Sequence, residues 1–469
     1  MPNASYTSAQ IAALLAHTWE AGDVVTLTTD GDYVLTDTIA VAADGCTLTR
    51  TGTAKIVYGA AVTPLAVTGD NFTLDVAIDW HNGAALGGVD AGYGVTFADC
   101  VGSLISNRDI QGFNQTGVIV TAQNVAATLT AVNSHFHHTL HDCIGMNPTT
   151  GGTAGGVLTL INCEADHSTD QSGFENDAVG TMIARGCYAH DNYAYGFGNI
   201  ATQGRATLNI CIACRSENNG DDQFRVSQAY GCSAYGNKGF VNGVEISTCI
   251  FDNCQAVGTG ADGYYGFVST ASVGVYRRCT ATGFTNSSYG YALWAIAGGM
   301  FTAECCKVAN SRLGAAVDSA AAGNAMGLTN CHLDATLYGL ASGNANATWT
   351  IRNTIIAGAT GDVAAQGGVY GAASGYNLYL HSSPGWTKKS TDTVGSAQID
   401  ALAVPYERGN CDVGKGDPSA RALGSLDLYG RPKLRQGDVI GPVYPQRRRA
   451  ENLIEPNVQF ATEAASLAA

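Results

Sequence analysis

The sequence predicts an all-β fold, a parallel β-helix (solenoid) of about a dozen coils, from three observations. A phrase with a cysteine, a polar patch and a glycine-introduced aromatic residue recurs, as in NCEADHSTDQSGFEN (162–176) and GCYAHDNYAYGFGN (186–199). Segments such as GVLTLINC alternate branched apolar with small polar residues, which is typical of strands. Glycine accounts for 59 of 469 residues and only 13% of residues are charged, so the surface must consist largely of Ser, Thr, Asn and Gly.

The repeat is anchored by cysteines at irregular intervals. These anchors are Cys163, Cys187, Cys214, Cys232, Cys254, Cys279, Cys306 and Cys331. Their successive spacings are 24, 27, 18, 22, 25, 27 and 25 residues. A coil of this length holds three short strands and three turns, and parallel strands of neighbouring coils lie about 4.8 Å apart. Each position therefore stacks on its counterpart one coil earlier, and insertions are confined to the turns.

The fifteen cysteines also raise the alternative of a disulfide framework. The long chain, the odd number and the repeating position favour a ladder of buried free thiols, because free cysteine packs like a small apolar residue. We expect Asn107 and Ser134 to take the ladder place in earlier coils, and IRNTIIAG (351–358) to continue it. The segments DHSTDQSG, HDNYAYG and ENNGDD are interpreted as turns, since Asx residues and glycine suit tight corners.

Both ends of the solenoid are predicted to be capped, because open ends expose unpaired strand edges. The segment Thr7–Trp19 has apolar residues at helical spacing and Ser8 as its N-cap, which indicates an amphipathic capping helix. The predicted divisions are an N-terminal cap at 1–45, the β-helix at 46–400, a C-terminal cap at 401–445, and an extended tail or docking arm at 446–469.

The repeat resembles the right-handed parallel β-helix repeat of the pectate-lyase-like superfamily. The segment GSLDLYGRPKLRQGDVIGPVYP (424–445) is similar to a closing signature of many bacterial and viral β-helix proteins, Asp-x-x-Gly-x-Pro-Arg followed by Asp-Ile-Gly-Ala-Tyr-Glu. The matching residues are Asp427, Gly430, Pro432, Asp438, Ile440, Gly441 and Tyr444. Lys433 replaces the arginine, Val439 is inserted, and Pro445 stands in place of the acid. The resemblance implies a right-handed parallel β-helix over nearly the whole chain and leaves function open.

Alignment of the repeats on their cysteines predicts a polar groove. One outward position is occupied by Asp166, His190, Glu217 and Tyr235, and Asp170 lies nearby. The resemblance implies side chains on one outer face that cut or epimerise polysaccharides, with a calcium-bound carboxylate and a basic residue in lyases or two to three aspartates in hydrolases. The catalytic candidates are Glu217, Asp221, Asp222 and Arg225.

The alternative for these aspartates is that they cap backbone amides in turns, and we favour it because turn aspartates commonly do so. The segment GDDQF (220–224) is similar to the paired aspartates of polygalacturonase-like hydrolases. However, the sequence contains no Gly-His-Gly partner downstream.

A second polar cluster lies in HFHHTLHDC. It contains His135, His137, His138, His141, Asp142 and Cys143. Alternation along a strand places His135 and His137 on one side. Metal binding is the lesser interpretation, since this spacing does not specify three ligands, and no metal or cofactor is predicted.

Several tyrosines allow two interpretations, as platforms for sugars or as packing groups at core and corner positions. They are Tyr193, Tyr195, Tyr264, Tyr265, Tyr289 and Tyr291.

The charge balance and the termini restrict the partners. A net charge of −15 argues against nucleic acid, and the only dense basic run is Arg447–Arg449. The N-terminus lacks the basic start and apolar run of a secretory signal, and no stretch reaches the ~20 apolar residues of a membrane span. We therefore expect synthesis in the cytoplasm and no membrane partner.

These features together predict a structural virion protein of a bacteriophage, in a capsid decoration or a tail appendage, that contacts host surface glycans. The expected partners are other virion proteins bound through residues 446–469, a surface polysaccharide, and further copies of this chain in a homotrimer. One alternative is a polysaccharide lyase or hydrolase, either a tailspike depolymerase or a secreted extracellular enzyme. Another is a non-catalytic glycan-binding adhesin.

Overall fold

The computed structural model describes residues 3–394, apart from 59–62, 81–92, 114, 147–154, 178–179, 199–207, 243–247, 260, 271–272, 318–323, 344–345, 365–368, 376 and 381–388. Within these residues the chain forms a parallel β-helix of about 13 turns, which confirms the predicted fold. The predicted C-terminal cap, its signature residues and the tail lie outside the described residues. Among the described residues, no helix has the length and apolar character that a membrane span requires.

The coil has three faces, which we call A, B and C in chain order, and strands pair in parallel along each face. Face A consists of Asn3–Tyr6, Val24–Leu27, Thr47–Arg50, Thr73–Leu74, Ser103–Ser106, Thr128–Val132, Gly156–Ile161, Gly180–Arg185, Leu208–Ile212, Gln228–Tyr230, Thr248–Asp252, Val273–Arg277, Met300–Glu304, Ala325–Thr329, Thr348–Arg352 and Val369–Tyr370.

Faces B and C are linked into one continuous sheet where two long strands cross the corner between them. Face B consists of Asp32–Leu35, Lys55–Tyr58, Ala77–Trp80, Asp109–Gln111, His135–His137, Glu164–Asp166, Tyr188–His190, Arg215–Glu217, Ser233–Gly236, Gln255–Gly258, Thr280–Thr282, Ile355–Gly358, Leu378–Tyr379 and Thr393–Val394. Face C consists of Ile39–Val41, Leu65–Val67, Val95–Ala98, Val118–Thr121, Ile144–Met146, Phe174–Asn176, Phe197–Gly198, Asp222–Val226, Lys238–Asn242, Tyr265–Thr270, Tyr291–Ile296 and Gly361–Val363. The strands shared by both faces are Lys307–Val317 and His332–Ser342.

A short helix packs against the first coil. It comprises a 3-10 turn at Ser8–Gln10 and an α-helix at Ile11–Leu15, so the predicted span Thr7–Trp19 was too long. The N-cap is Thr7 and not Ser8, because Thr7 has extended backbone angles and its N–H donates to Gln10 Oε1 at 2.9 Å. Leu14 is buried in the core. Residues 1–45, predicted as a cap, also contain the first full coil, whose three strands lie within residues 24–41.

The corner between faces A and B explains the cysteine ladder. Each ladder cysteine directly precedes a face B strand and is at most 2% exposed, and all are free thiols. The residue before it adopts left-handed backbone angles, as Asn162, Gly186 and Asn253 do. The predicted ladder of buried free thiols is thereby confirmed.

The ladder position selects a small hydrogen-bond donor. The Cys279 thiol lies 3.2 Å from the carbonyl oxygen of Arg277, two residues earlier, and 3.4 Å from that of Phe251 in the preceding coil. Ser134 and Thr354 hold the same place at the ends of the ladder, and their hydroxyls donate to the carbonyl two residues earlier at 3.0 Å. The expectation for Ser134 is confirmed. The expectation for Asn107 was wrong, because Asn107 stacks on Asn133 at the left-handed position.

A column of phenylalanine rings fills the core beneath face C. Its members are Phe174, Phe197, Phe224, Phe240 and Phe267, all fully buried. Successive ring centroids are 4.9, 4.9, 4.7 and 5.0 Å apart and the planes are inclined by no more than 22°. This spacing matches the distance of about 4.8 Å between parallel strands, so the backbone register itself brings the rings into stacking contact.

We expect Cys279→Ser to retain most of the stability, because the hydroxyl replaces the thiol donor in a place that serine already occupies elsewhere. Cys279→Val removes the donor and leaves buried carbonyl oxygens without it, so we expect a loss of roughly 1–3 kcal/mol in the free energy of unfolding. Urea unfolding followed by circular dichroism measures the difference. Equal stability of the two variants would show that the position selects only for size.

Candidate functional site

The outer side of face B carries two rows of polar side chains. Each strand there turns its middle residue inward, as with Phe136, Ala165 and Ala189, and its flanking residues outward. The first row contains His135, Glu164, Tyr188 and Arg215. The second row contains His137, Asp166, His190, Glu217 and Tyr235, which confirms the predicted alignment of the last four.

Histidines and carboxylates alternate in these rows. We call the group the histidine–carboxylate cluster; it consists of His135, His137, His138, His167 and His190 with Asp109, Glu164, Asp166 and Asp191. Asp166 is at its centre, with Oδ2 at 2.6 Å from His135 Nε2 and Oδ1 at 2.5 Å from His167 Nδ1. The rings of His135 and His137 stack at 4.0 Å, which confirms that they share one side of the strand.

Two of the histidines belong to the corner after face B and not to the strand. His138 and His167 have left-handed backbone angles, with φ of 53° and 55°. Histidine is among the non-glycine residues enriched in this region. Because the corners stack, the two rings lie parallel with centroids 4.8 Å apart.

The electrostatics of the cluster follow from its pairing. Burial alone would raise the pKa of Asp166, but hydrogen bonds from His135 and His167 hold it well below the usual value. Burial opposes protonation of His135 and His190, yet the neighbouring carboxylates raise the pKa of each. The pKa of His138 is lowered by burial and by the adjacent His137.

The rest of the HFHHTLHDC segment does not join the cluster. His141 lies with Nδ1 at 3.3 Å from Asp170 Oδ2. Burial and the charge of Asp177 raise the pKa of Asp142 to about 8. Cys143 is buried in the core. The segment therefore divides between an outer surface and the interior.

The four catalytic candidates do not form one site. Glu217 lies on face B, where it contacts Arg215 at 2.5 Å and accepts a hydrogen bond from the Tyr188 hydroxyl at 3.1 Å. The other three candidates, Asp221, Asp222 and Arg225, lie where face C begins. A corner separates the two positions, so their closeness in sequence does not bring them together.

The beginning of face C is a charged cluster. Asp221 pairs with Lys238, Asp222 accepts a hydrogen bond from the Tyr265 hydroxyl, and the Arg225 guanidinium donates to the Tyr195 hydroxyl at 2.6 Å. Within the described contacts, both aspartate carboxylates bond side chains, unlike Asp99, which accepts from the backbone N–H groups of a turn. These side-chain partners give Asp221 and Asp222 a role beyond the favoured interpretation as turn caps.

Asp222 has an unusual environment for a carboxylate. It is only 5% exposed, and burial together with the charge of Asp221 raises its pKa to about 6. Carboxyl groups with such pKa values retain a proton in weakly acidic solution. The side chain can thus donate a proton as well as accept one.

Aromatic side chains continue along the outer side of face C. We call them the aromatic platform; it consists of Tyr264, Tyr265, Tyr289, Tyr291 and Trp294, with Leu313 and Tyr338 beside them. The rings of Tyr291 and Trp294 stack at 4.5 Å, as do those of Tyr264 and Tyr289, and Tyr289 is 42% exposed. Tyr265, Tyr291 and Trp294 belong to an apolar cluster that is separate from the core of the solenoid. Packing in the core therefore does not account for them, and their interpretation as a platform for sugars stays a prediction.

A cavity of about 800 Å³ opens at the corner between faces B and C, beside the charged cluster. Its lining includes Ser168, Asp191, Asn192, Tyr193, Asp221 and Lys238. The cavity is open to solvent, and most of its lining side chains are polar. Asp221 and Lys238 line this cavity, and the hydrogen bond from Tyr265 to Asp222 connects the charged cluster to the aromatic platform. The three features therefore adjoin one another, and we call them together the groove.

Lys238 and Trp294 were not predicted, although the sequence contains a signal for Lys238. Lys238 and Tyr265 stand two residues before the column rings Phe240 and Phe267, as Asp222 stands before Phe224. Alignment on the phenylalanines would have placed the three in one row. Trp294 carries no such repeat, since its counterparts Val268 and Ala316 are small.

Comparisons with known proteins identify similar folds only. No protein-family description and no curated protein matches the sequence. The Dettilon tailspike protein is 12% identical with a TM-score of 0.47, and the alignment covers 68% of this chain and 62% of that one. The catalytic domain of a GH87 alpha-1,3-glucanase in complex with nigerose is 12% identical with a TM-score of 0.40, and the alignment covers 80% of this chain and 63% of that one. Pectate lyase Pel9A is 14% identical with a TM-score of 0.29, and the alignment covers 92% of this chain and 83% of that one. This chain spans less than two thirds of the tailspike and the glucanase domain.

Proposed function

We propose that the groove on face C binds a polysaccharide and that this chain is a glycan-binding β-helix of a bacteriophage particle. The observation that carries the glycan proposal is the aromatic platform beside the charged cluster. Sugar rings present apolar faces edged by hydroxyl groups, and protein sites for such ligands combine aromatic surfaces with a few placed polar groups.

The geometry along the groove supports an extended ligand. The register pairs Tyr265 with Tyr291, and Trp294 stacks on Tyr291, so aromatic rings lie next to one another along the solenoid axis. Tyr289 projects beside them with 42% of its surface exposed. Successive rings offer successive contacts to a linear polymer, while Lys238 and Arg225 provide donors for hydroxyl or carboxylate groups.

A second candidate, glycan hydrolysis, is favoured by the adjacent carboxyls of Asp221 and Asp222. Asp221 is paired with Lys238, whereas burial raises the pKa of Asp222 to about 6. Two carboxyls held in different environments are the arrangement that glycosidases use for an acid and its ionised partner. In this role Asp222 protonates the leaving oxygen.

Assignment to a virion is a proposal that rests on the sequence. The long solenoid with few charges provides a rigid body for display, and residues 446–469 provide a segment for docking to other virion proteins or within a homotrimer. The alternative is that the chain is a secreted enzyme located outside the cell.

We expect Tyr289→Ala to weaken polysaccharide binding about 10-fold, since an exposed aromatic contact contributes on the order of 1 kcal/mol. Binding of the full chain to a glycan array, followed by titration with the selected polysaccharide, measures the change. Tyr235→Ala on face B is the matched control and should bind as the unmodified chain does. Absence of glycan binding, or equal weakening by both variants, would contradict the proposal.

If the groove hydrolyses its ligand, we expect new reducing ends without the absorbance of unsaturated uronates. The rate should fall as pH rises through about 6, because Asp222 then loses the proton it donates. Asp222→Asn should lower the rate by roughly 10²-fold or more. Glu217→Gln, altered on face B, should retain full activity. Absence of product from a folded sample would contradict the hydrolysis proposal, and glycan binding without hydrolysis would then be the function proposed for the groove.

The virion proposal predicts that the chain is present in purified phage particles. Quantitative mass spectrometry of such particles gives its copy number. Hundreds of copies indicate capsid decoration, and a few indicate a tail appendage. Detection only in the culture medium, free of particles, would favour the secreted enzyme instead.

A further inference from the structure

The histidine–carboxylate cluster lies on face B, whereas the charged cluster and the aromatic platform of the proposed glycan groove lie on face C. Only Asp191 belongs to the cluster and also lines the cavity at the corner. Four consecutive coils contribute to it through parallel register, with Asp109 before His135, then His135 on Glu164 on Tyr188 and His137 on Asp166 on His190. Because successive strands lie about 4.8 Å apart, donor atoms from neighbouring coils can reach one point. A flexible surface does not provide such fixed spacing.

Four potential ligand atoms are linked by short contacts around Glu164 and Asp166. Asp166 Oδ2 lies 2.6 Å from His135 Nε2 and 3.4 Å from His190 Nε2, and Glu164 Oε1 lies 2.9 Å from His190 Nε2. Donor atoms of His135, Glu164 and Asp166 all lie within 4.8 Å of one another. Ligand atoms around a tetrahedral zinc ion, with bonds of about 2.0–2.1 Å, are separated by roughly 3.4 Å. Small side-chain rotations therefore suffice to place an ion among them.

We propose that His135, Glu164, Asp166 and His190 bind a divalent transition-metal ion on the outer side of face B. Two imidazole nitrogens and two carboxylate oxygens form a donor set suited to zinc and related ions. Calcium and magnesium prefer oxygen ligands alone.

The orientation of both histidines supports the assignment. His190 Nδ1 lies 2.8 Å from Asp191 Oδ2, and His135 Nδ1 faces Asp109 Oδ1 at 3.9 Å. In each ring the outer nitrogen thus faces a carboxylate while Nε2 points to the centre. Metal-binding histidines characteristically have such carboxylate partners, which fix the tautomer and the ring orientation.

Accessibility also fits a binding site. The Asp166 side chain is 6% exposed and forms the floor, whereas those of His135 and Glu164 are 36% and 44% exposed. An ion can enter from solvent without movement of the backbone. The ion would also neutralise two carboxylates that are otherwise held close together.

The test is titration of the full, EDTA-treated chain with zinc by isothermal calorimetry, and with cobalt(II) by visible absorption. We expect one ion per chain and the absorption bands of cobalt bound to nitrogen and oxygen. Millimolar calcium should not displace the ion. Absence of saturable zinc and cobalt binding would overturn the proposal.

Variants locate the ion. Asp166→Asn and His190→Gln should each weaken binding at least 10-fold, the scale seen when metal-site partners are removed. His141→Gln is the matched control, because His141 pairs with Asp170 away from the centre, and it should bind as the unmodified chain does. Circular dichroism confirms that each variant is folded. If His137→Gln abolishes binding while His190→Gln retains it, the ion lies beside Asp109 and the assigned ligand set is wrong.

Discussion

The structure depends on one constraint, that the strands of each face hydrogen-bond in parallel to the strands of the coils before and after them. The backbone fixes the separation of these strands at about 4.8 Å, close to the contact distance of stacked rings. A side chain that stacks well on itself is therefore selected coil after coil. The phenylalanine column, the thiol ladder and the stacked corner histidines His138 and His167 are three outcomes of this single spacing.

The ladder and the fold were predictable from sequence because they depend on repetition. Cys163, Cys187 and Cys214 recur since the corner between faces A and B always leaves a carbonyl oxygen that a small donor can reach. The alignment of Asp166, His190 and Glu217 followed from the same register. The alternation of His135 and His137 required only the period of a strand.

Features governed by corners were less predictable. Asn107 and Arg108 are adjacent, and the sequence does not show which of them takes the ladder position. The left-handed backbone angles of Asn107 place it one residue before that position. Glu217 and Asp222 are five residues apart in sequence, yet a corner directs them to different faces. The first helix ends at Leu15 because the chain must then turn to enter the first coil, whose first strand begins at Val24. Sequence pattern does not carry this information, because backbone direction at a corner depends on contacts with neighbouring coils.

The unequal spacing of the ladder has an evolutionary consequence. Coils of 18 and 27 residues place the same thiol in the same column, so the difference in length is absorbed outside the strands. Surface loops can therefore be exchanged or lengthened without disturbing the interior. Insertions and deletions at the corners can therefore alter the outer surface during evolution while the buried core of the solenoid is conserved.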